Sequence, residues 1–126
     1  MPLVRIHLPQ GSSPEIKRHV SDAIHRALVE TFKVPEDDRF QVISEHGPDD
    51  LACTPAYLGI VHSAQVVFVQ ITCSEGRSVQ AKKDLFQRMA ELIATNGTFA
   101  AADVIINLVE VKKENWSFGN GIAQYA

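Results

Sequence analysis

Val66-Val67-Phe68-Val69-Gln70-Ile71-Thr72-Cys73-Ser74-Glu75-Gly76-Arg77-Ser78 is the stretch that decides the fold. From Gln65 to Cys73 it is a nearly continuous apolar run, the pattern of a strand enclosed on both faces. It then turns at a glycine and reaches a serine able to cap a helix. That helix is expected to carry Val79, Leu85, Phe86, Met89, Leu92 and Ile93 on its buried side and to end at Asn96-Gly97. Val104 to Val111 reads as the strand that completes a strand-helix-strand unit.

Moved back by 65 residues, the same plan lies at the start of the chain, with no gap. Pro2 to Leu8 alternates, with Val4, Ile6 and Leu8 on one face. Gly11-Ser12-Ser13-Pro14-Glu15 is a turn into a helix, Ser12 and Glu15 having the spacing of a capping box. Ile16, Val20, Ala23, Ile24, Ala27, Leu28 and Phe32 recur at three and four, and Pro35 stops the helix after Lys33 or Val34. Arg39 to His46 alternates again, Phe40 and Val42 pointing one way and Gln41 and Ile43 the other. Seven pairs are identical at this offset: Val4/Val69, Ile6/Ile71, Gly11/Gly76, Ser13/Ser78, Lys17/Lys82, Asp38/Asp103 and Glu45/Glu110.

A right-handed crossover makes the two strands of each unit parallel. The expectation for 126 residues is therefore one α+β domain built as a duplicated βαβ: repeat one about 2–46, repeat two about 66–111, and a tail 112–126. The sheet has four strands with both helices on one face. Between the repeats, Gly47 to about Ser63 sustains no period and reads as a loop, with a short strand near Tyr57 to Val61. The other sheet face has no cover within the chain. Val67 and Val69, or their neighbours on that face, would stay wet in a monomer, so an oligomer is expected.

Twelve Lys and Arg against fifteen Asp and Glu give a formal charge of −3, which leaves no electrostatic footprint for nucleic acid or an anionic membrane. The expected partner is a small molecule or another protein. No apolar run approaches the ~20 residues of a membrane span. Arg5 and His7 interrupt the first hydrophobic stretch as no signal peptide would allow, so a cytoplasmic protein is expected. Cys53 and Cys73 read as reduced thiols, and the five histidines, which lack metal-site spacing, as solvated or core-edge residues.

Candidate functional residues appear where the repeats disagree. Pro2 falls on Val67, and removal of Met1 would leave a secondary amine at the end of a strand. An α-amino group titrates near ~8; an apolar pocket lowers that value and neighbouring carboxylates hold the group cationic, so it can serve as base or acid. The plainer alternative is a proline merely tolerated after the initiator. Arg77 falls on Ser12 and precedes a helix N-terminus, a place suited to a carboxylate ligand. Its plainer alternative is a surface pairing with Glu75 or Asp84. Asp38 stands just before a strand, as does its twin Asp103, which suits a turn residue as well as an acid.

Together these pieces resemble the tautomerase superfamily and, more narrowly, its malonate semialdehyde decarboxylase group. The resemblance rests on Pro2-Leu3, Val34-Pro35-Glu36-Asp37-Asp38-Arg39-Phe40-Gln41, Glu75-Gly76-Arg77-Ser78 and Asn115-Trp116-Ser117-Phe118-Gly119-Asn120-Gly121. It implies a homotrimer that needs no metal and no cofactor and acts on a small anionic oxo acid. The implied activity is that of a decarboxylase or a keto-enol tautomerase, on malonate semialdehyde or phenylpyruvate. The resemblance makes Pro2 the catalytic amine, Asp38 its acid/base partner, Arg77 the holder of the substrate carboxylate, and Trp116 and Phe118 part of the pocket wall. One feature departs from the pattern: where related decarboxylases and dehalogenases carry a second arginine, this chain has Glu75 and Ser74, so dehalogenation is not expected. The competing expectation is a non-catalytic, ferredoxin-like module in which Arg77 binds a small anion and Pro2 is inert.

Overall fold

Alternating apolar residues and two serine-capped amphipathic helices build a two-layer structure. In the computed structural model, which describes residues 1–126, the elements in chain order are β1 (Leu3–Pro9), α1 (Pro14–Phe32), β2 (Phe40–His46), β3 (Ala56–Tyr57), β4 (Ile60–Val61), β5 (Val67–Ser74), α2 (Val79–Ala94) and β6 (Val104–Val111). The four long strands form one sheet in the order β2-β1-β5-β6. Both outer pairs are parallel, as two crossovers require, and the central pair β1–β5 is antiparallel.

The register shows the duplication as a symmetry. Arg5 lies opposite Gln70, its own twin at the offset of 65, and every other β1–β5 pair has its counterpart across that point: Val4 faces Ile71 as Ile6 faces Val69. A pseudo-twofold axis thus passes between Arg5 and Gln70. Two of the sequence identities make matching ion pairs between helix and strand, Lys17 to Glu45 at 3.1 Å and Lys82 to Glu110 at 2.7 Å. Each lysine holds its glutamate below the usual carboxylate range.

Ser13 and Ser78 are the two N-caps, accepting from the Ile16 and Ala81 amides at 3.2 and 3.1 Å. The cap expected at Ser12 is therefore one residue later, and with Ile16 at the third helical position it forms no capping box. Pro14 opens the helix, so the cap is the residue before it, and the Ser12 hydroxyl instead donates to Pro9 O at 2.8 Å and closes the turn. Helix α1 ends where Lys33 adopts a left-handed conformation, φ 58°.

Val4, Ile6 and Leu8 of β1 and Val67, Val69, Ile71 and Cys73 of β5 pack against Val20, Ile24 and Leu28 of α1 and Leu85, Met89 and Ile93 of α2. Burying each large aliphatic side chain contributes about 1.5–3 kcal/mol. Two expectations are corrected here, and one that held two alternatives is decided. Strand β5 is enclosed on one face only, because Phe68 and Thr72 are half-buried and Gln70 is exposed. Val67 and Val69 face the helices, so the residues left uncovered are their neighbours, with Leu3, Phe40, Val42, Phe68, Ile105 and Val109 on the open face. Val79, at the first position of α2, is 68% exposed rather than buried.

The segment between the repeats holds the β3–β4 hairpin, turning at Leu58 and Gly59, both with positive φ. Cys53 and Cys73 are free thiols. His25 is deep in the core, 3% exposed, where its Nε2 meets Glu36 O at 2.7 Å, and so lies outside the solvated or core-edge expectation for the histidines.

Candidate active site

Strand β1 starts beside the start of parallel β2 and beside the end of antiparallel β5, whose parallel neighbour β6 also ends there. One edge of the sheet therefore collects the chain start, the turn before β2, the turn after β5 and the tail after β6. Pro2, Asp38, Arg77, Trp116 and Phe118 all belong to that edge.

Pro2 is buried. Just ahead of it, the Met1 ammonium lies 3.5 Å from Asp38 Oδ2. Asp38 is only 8% exposed, and its Oδ1 is buried with no hydrogen-bond partner. The turn that presents it is tightly held. The Asp38 amide donates to Pro35 O at 3.0 Å, His25 binds Glu36 O, and Arg26 grips the Glu36 carboxylate at 2.9 and 3.2 Å. A buried carboxylate oxygen without a partner is costly and is stabilised by a cation or a donor brought to it. The twin aspartate has no such vacancy, since the Ser63 amide and hydroxyl donate to the two oxygens of Asp103 at 2.8 and 2.6 Å.

Arg77 makes no ion pair, so the surface pairing with Glu75 or Asp84 is not realised; Asp84 instead accepts from Gln80 at 2.9 Å. Arg77 Nη1 donates to Ser74 O at 3.1 Å, and the guanidinium carbon stands 4.4 Å from the centroid of the Phe32 ring. Its other N–H groups are free for an anion. Cys73, one step past the last β1–β5 pair, feels the whole edge. Burial pushes its thiol pKa up, while Arg77 first and then, more weakly, Lys82 and the chain-terminal ammonium draw it back down against Glu110.

Trp116 Nε1 donates to Ser74 Oγ at 3.3 Å. Its ring stacks on Phe118 at 5.4 Å, and Phe118 also meets Phe40 at 5.7 Å and the edge of Tyr125 at 5.6 Å. Leu3, Phe40, Trp116, Ser117 and Phe118 line a hollow of about 260 Å³. Phe32, Phe40, Leu3 and Tyr125 are members of this edge that the sequence reading did not single out. The available signal was aromatic: Phe40 opens β2 on the uncovered face, and Tyr125 shares its tail with Trp116 and Phe118. A larger hollow of about 380 Å³ near Gln10, His46 and Cys53 lies at the opposite edge and contains no carboxylate or guanidinium. No three His, Cys, Asp or Glu side chains are grouped to hold a metal ion, and no helix is long and apolar enough to cross a membrane.

A family described as "Tautomerase enzyme" matches residues 38–119, and a second of the same description matches residues 2–59. The probable tautomerase YusQ of Bacillus subtilis (strain 168) is similar over 124 residues at 36% identity, spanning 98% of each chain. The crystal structure of the FG41 malonate semialdehyde decarboxylase inhibited by 3-bromopropiolate superposes with a TM-score of 0.91 at 39% identity, covering 98% of this chain and 93% of that one. A second malonate semialdehyde decarboxylase, solved as wild type, inactivated enzyme and a mutant with alanine for the proline at its first position, superposes with a TM-score of 0.89 at 31% identity, over 98% and 95% of the two chains. With its family match running through more than half of its length, and relatives above 30% identity along nearly all of it, the chain belongs to the tautomerase family.

Proposed function

We propose that this protein, once Met1 is removed, uses the Pro2 amine with Asp38 for acid/base chemistry on a small oxo acid whose carboxylate is held by Arg77. The carrying observation is the ammonium 3.5 Å from Asp38, a buried carboxylate with one oxygen unpartnered. Loss of Met1 moves the terminal amine back by about one residue, roughly 3.5 Å, and replaces a primary amine by the secondary amine of proline. Asp38 favours the cationic form of that amine and burial favours the neutral one.

With malonate semialdehyde, cationic Pro2 donates to the aldehyde oxygen while Arg77 orients the carboxylate out of the carbonyl plane. The bond to the carboxyl carbon breaks, its electron pair moves into the developing enol, CO2 leaves, and a proton returned to carbon gives acetaldehyde. With an enol acid such as phenylenolpyruvate, neutral Pro2 takes the hydroxyl proton and the protonated amine returns one to carbon. The similarity to malonate semialdehyde decarboxylases at 39% and 31% identity supports the first reaction. Phe40, Trp116 and Phe118 supply an aromatic wall able to accept a phenyl ring, which supports the second. The single guanidinium, with Glu75 exposed where a second would stand, argues against dehalogenation.

The apolar residues of the open sheet face support a homotrimer that buries them. The two unpaired thiols suit the cytoplasm. Intact mass spectrometry and turnover of both substrates test the reading. It predicts a mass lacking Met1, and an Arg77→Ala variant whose KM rises at least tenfold for either acid. Protein that retains Met1 at full activity contradicts it.

A further inference from the structure

We infer that Phe32 is a positioning residue for the Arg77 guanidinium, an inference that rests on Arg77 being the carboxylate holder. An arginine side chain is long and freely rotating, and this one is held by the Ser74 carbonyl on Nη1 and by the Phe32 ring. At 4.4 Å from the ring centroid, the guanidinium carbon lies within the range of a cation–π contact. That contact uses none of the guanidinium N–H groups, and Ser74 takes one from Nη1, so the others are left for a carboxylate.

Phe32 is well suited to hold that ring still. It is the last residue of α1, 7% exposed and part of the core cluster, and the chain leaves the helix immediately afterwards through left-handed Lys33. Packing alone would be served by any large apolar residue there; only the arginine requires an electron-rich face. The duplication sharpens the point. At the offset of 65, Arg77 falls on Ser12 and Phe32 falls on Gly97, so the guanidinium and the ring are both replaced together at the other end of the sheet.

Kinetics of Phe32→Leu, Phe32→Tyr, Arg77→Ala and the double variant Phe32→Leu/Arg77→Ala, assayed with malonate semialdehyde and phenylenolpyruvate, test this. Phe32→Leu is expected to raise KM about five- to tenfold with kcat within about twofold of wild type, and Phe32→Tyr to keep the wild-type KM. In the Arg77→Ala background, Phe32→Leu should change nothing further, because the ring acts only through the guanidinium. An unchanged KM in Phe32→Leu, or the same fold-rise in both backgrounds, overturns the inference and leaves Arg77 as carboxylate holder if Arg77→Ala alone raises KM. An unchanged KM in Arg77→Ala overturns both. Should Phe32→Leu not fold, Phe32→pentafluorophenylalanine keeps the ring's shape and inverts its charge distribution; a raised KM supports the inference and an unchanged one overturns it.

Discussion

Asp38 and Asp103 occupy twin positions 65 residues apart, yet Ser63 satisfies both oxygens of Asp103 while Asp38 keeps one buried oxygen without a partner beside the chain's ammonium. The duplication thus carries its own internal control. One aspartate is locked into structure by a neighbouring loop, and the other is left open at the edge that also gathers Pro2 and Arg77.

Opposite outcomes follow for the two aspartates. Asp103→Ala should lower stability by about 1–3 kcal/mol, because it removes two hydrogen bonds from Ser63 to a buried carboxylate, and should leave turnover within about threefold of wild type. Asp38→Ala should cost less in stability and should lower kcat/KM by about a hundredfold or more. Urea unfolding and kinetics on both variants check this, and the account is wrong if the two variants exchange these behaviours.

Ser13 and Ser12 separate a cap from a turn. Ser13→Ala removes the acceptor for the Ile16 amide and should destabilise by about 1 kcal/mol, and Ser78→Ala should do likewise in α2. Ser12→Ala loses only a partly buried bond to Pro9 O and should cost less than Ser13→Ala. Equal or reversed midpoints in urea would place the cap at Ser12 after all.

His7 links stability to pH. Burial first, then the facing His46 at 2.8 Å and then Arg5, hold its pKa below the usual 6.5. The unfolded chain therefore binds this proton more readily than the folded one. His7 weakens the fold as pH drops through about 6.5 toward the lower folded value, and contributes its full stability above that window. Thermal unfolding between pH 7.5 and 5 should show a steeper decline for wild type than for His7→Asn; parallel curves would remove His7 as the source.

The open sheet face predicts assembly. Light scattering should give about three times the 13.9 kDa chain mass, and Val42→Glu combined with Val109→Glu, on the two outer strands of that face, should yield smaller species. A wild-type monomer contradicts the burial argument.

Much of this architecture is legible from residues alone because the duplicated side chains do the same work twice. Lys17/Lys82 with Glu45/Glu110 make equivalent ion pairs, and Ser13/Ser78 make equivalent caps, so the identities mark contacts. Other features depend on direction in space. The run from Gln65 to Cys73 reads as doubly enclosed, but strand pleat sends Phe68 to the uncovered face whatever its hydrophobicity. Adjacent Ser12 and Ser13 both suit a cap, and the position of Pro14 settles which one faces the helix. Helical spacing marks Phe32 as core; its contact with Arg77 joins the two repeats and has no local signature. The vacancy at Asp38 is likewise invisible until Ser63 is seen to fill its twin.

The central claim, that the Pro2 amine is the acid/base group, is tested most directly by kcat/KM of Pro2→Ala against wild type, on protein whose intact mass shows Met1 removed. A fall of about a hundredfold or more, with an unchanged unfolding midpoint, is the predicted result. Equal kcat/KM in the two proteins would contradict it.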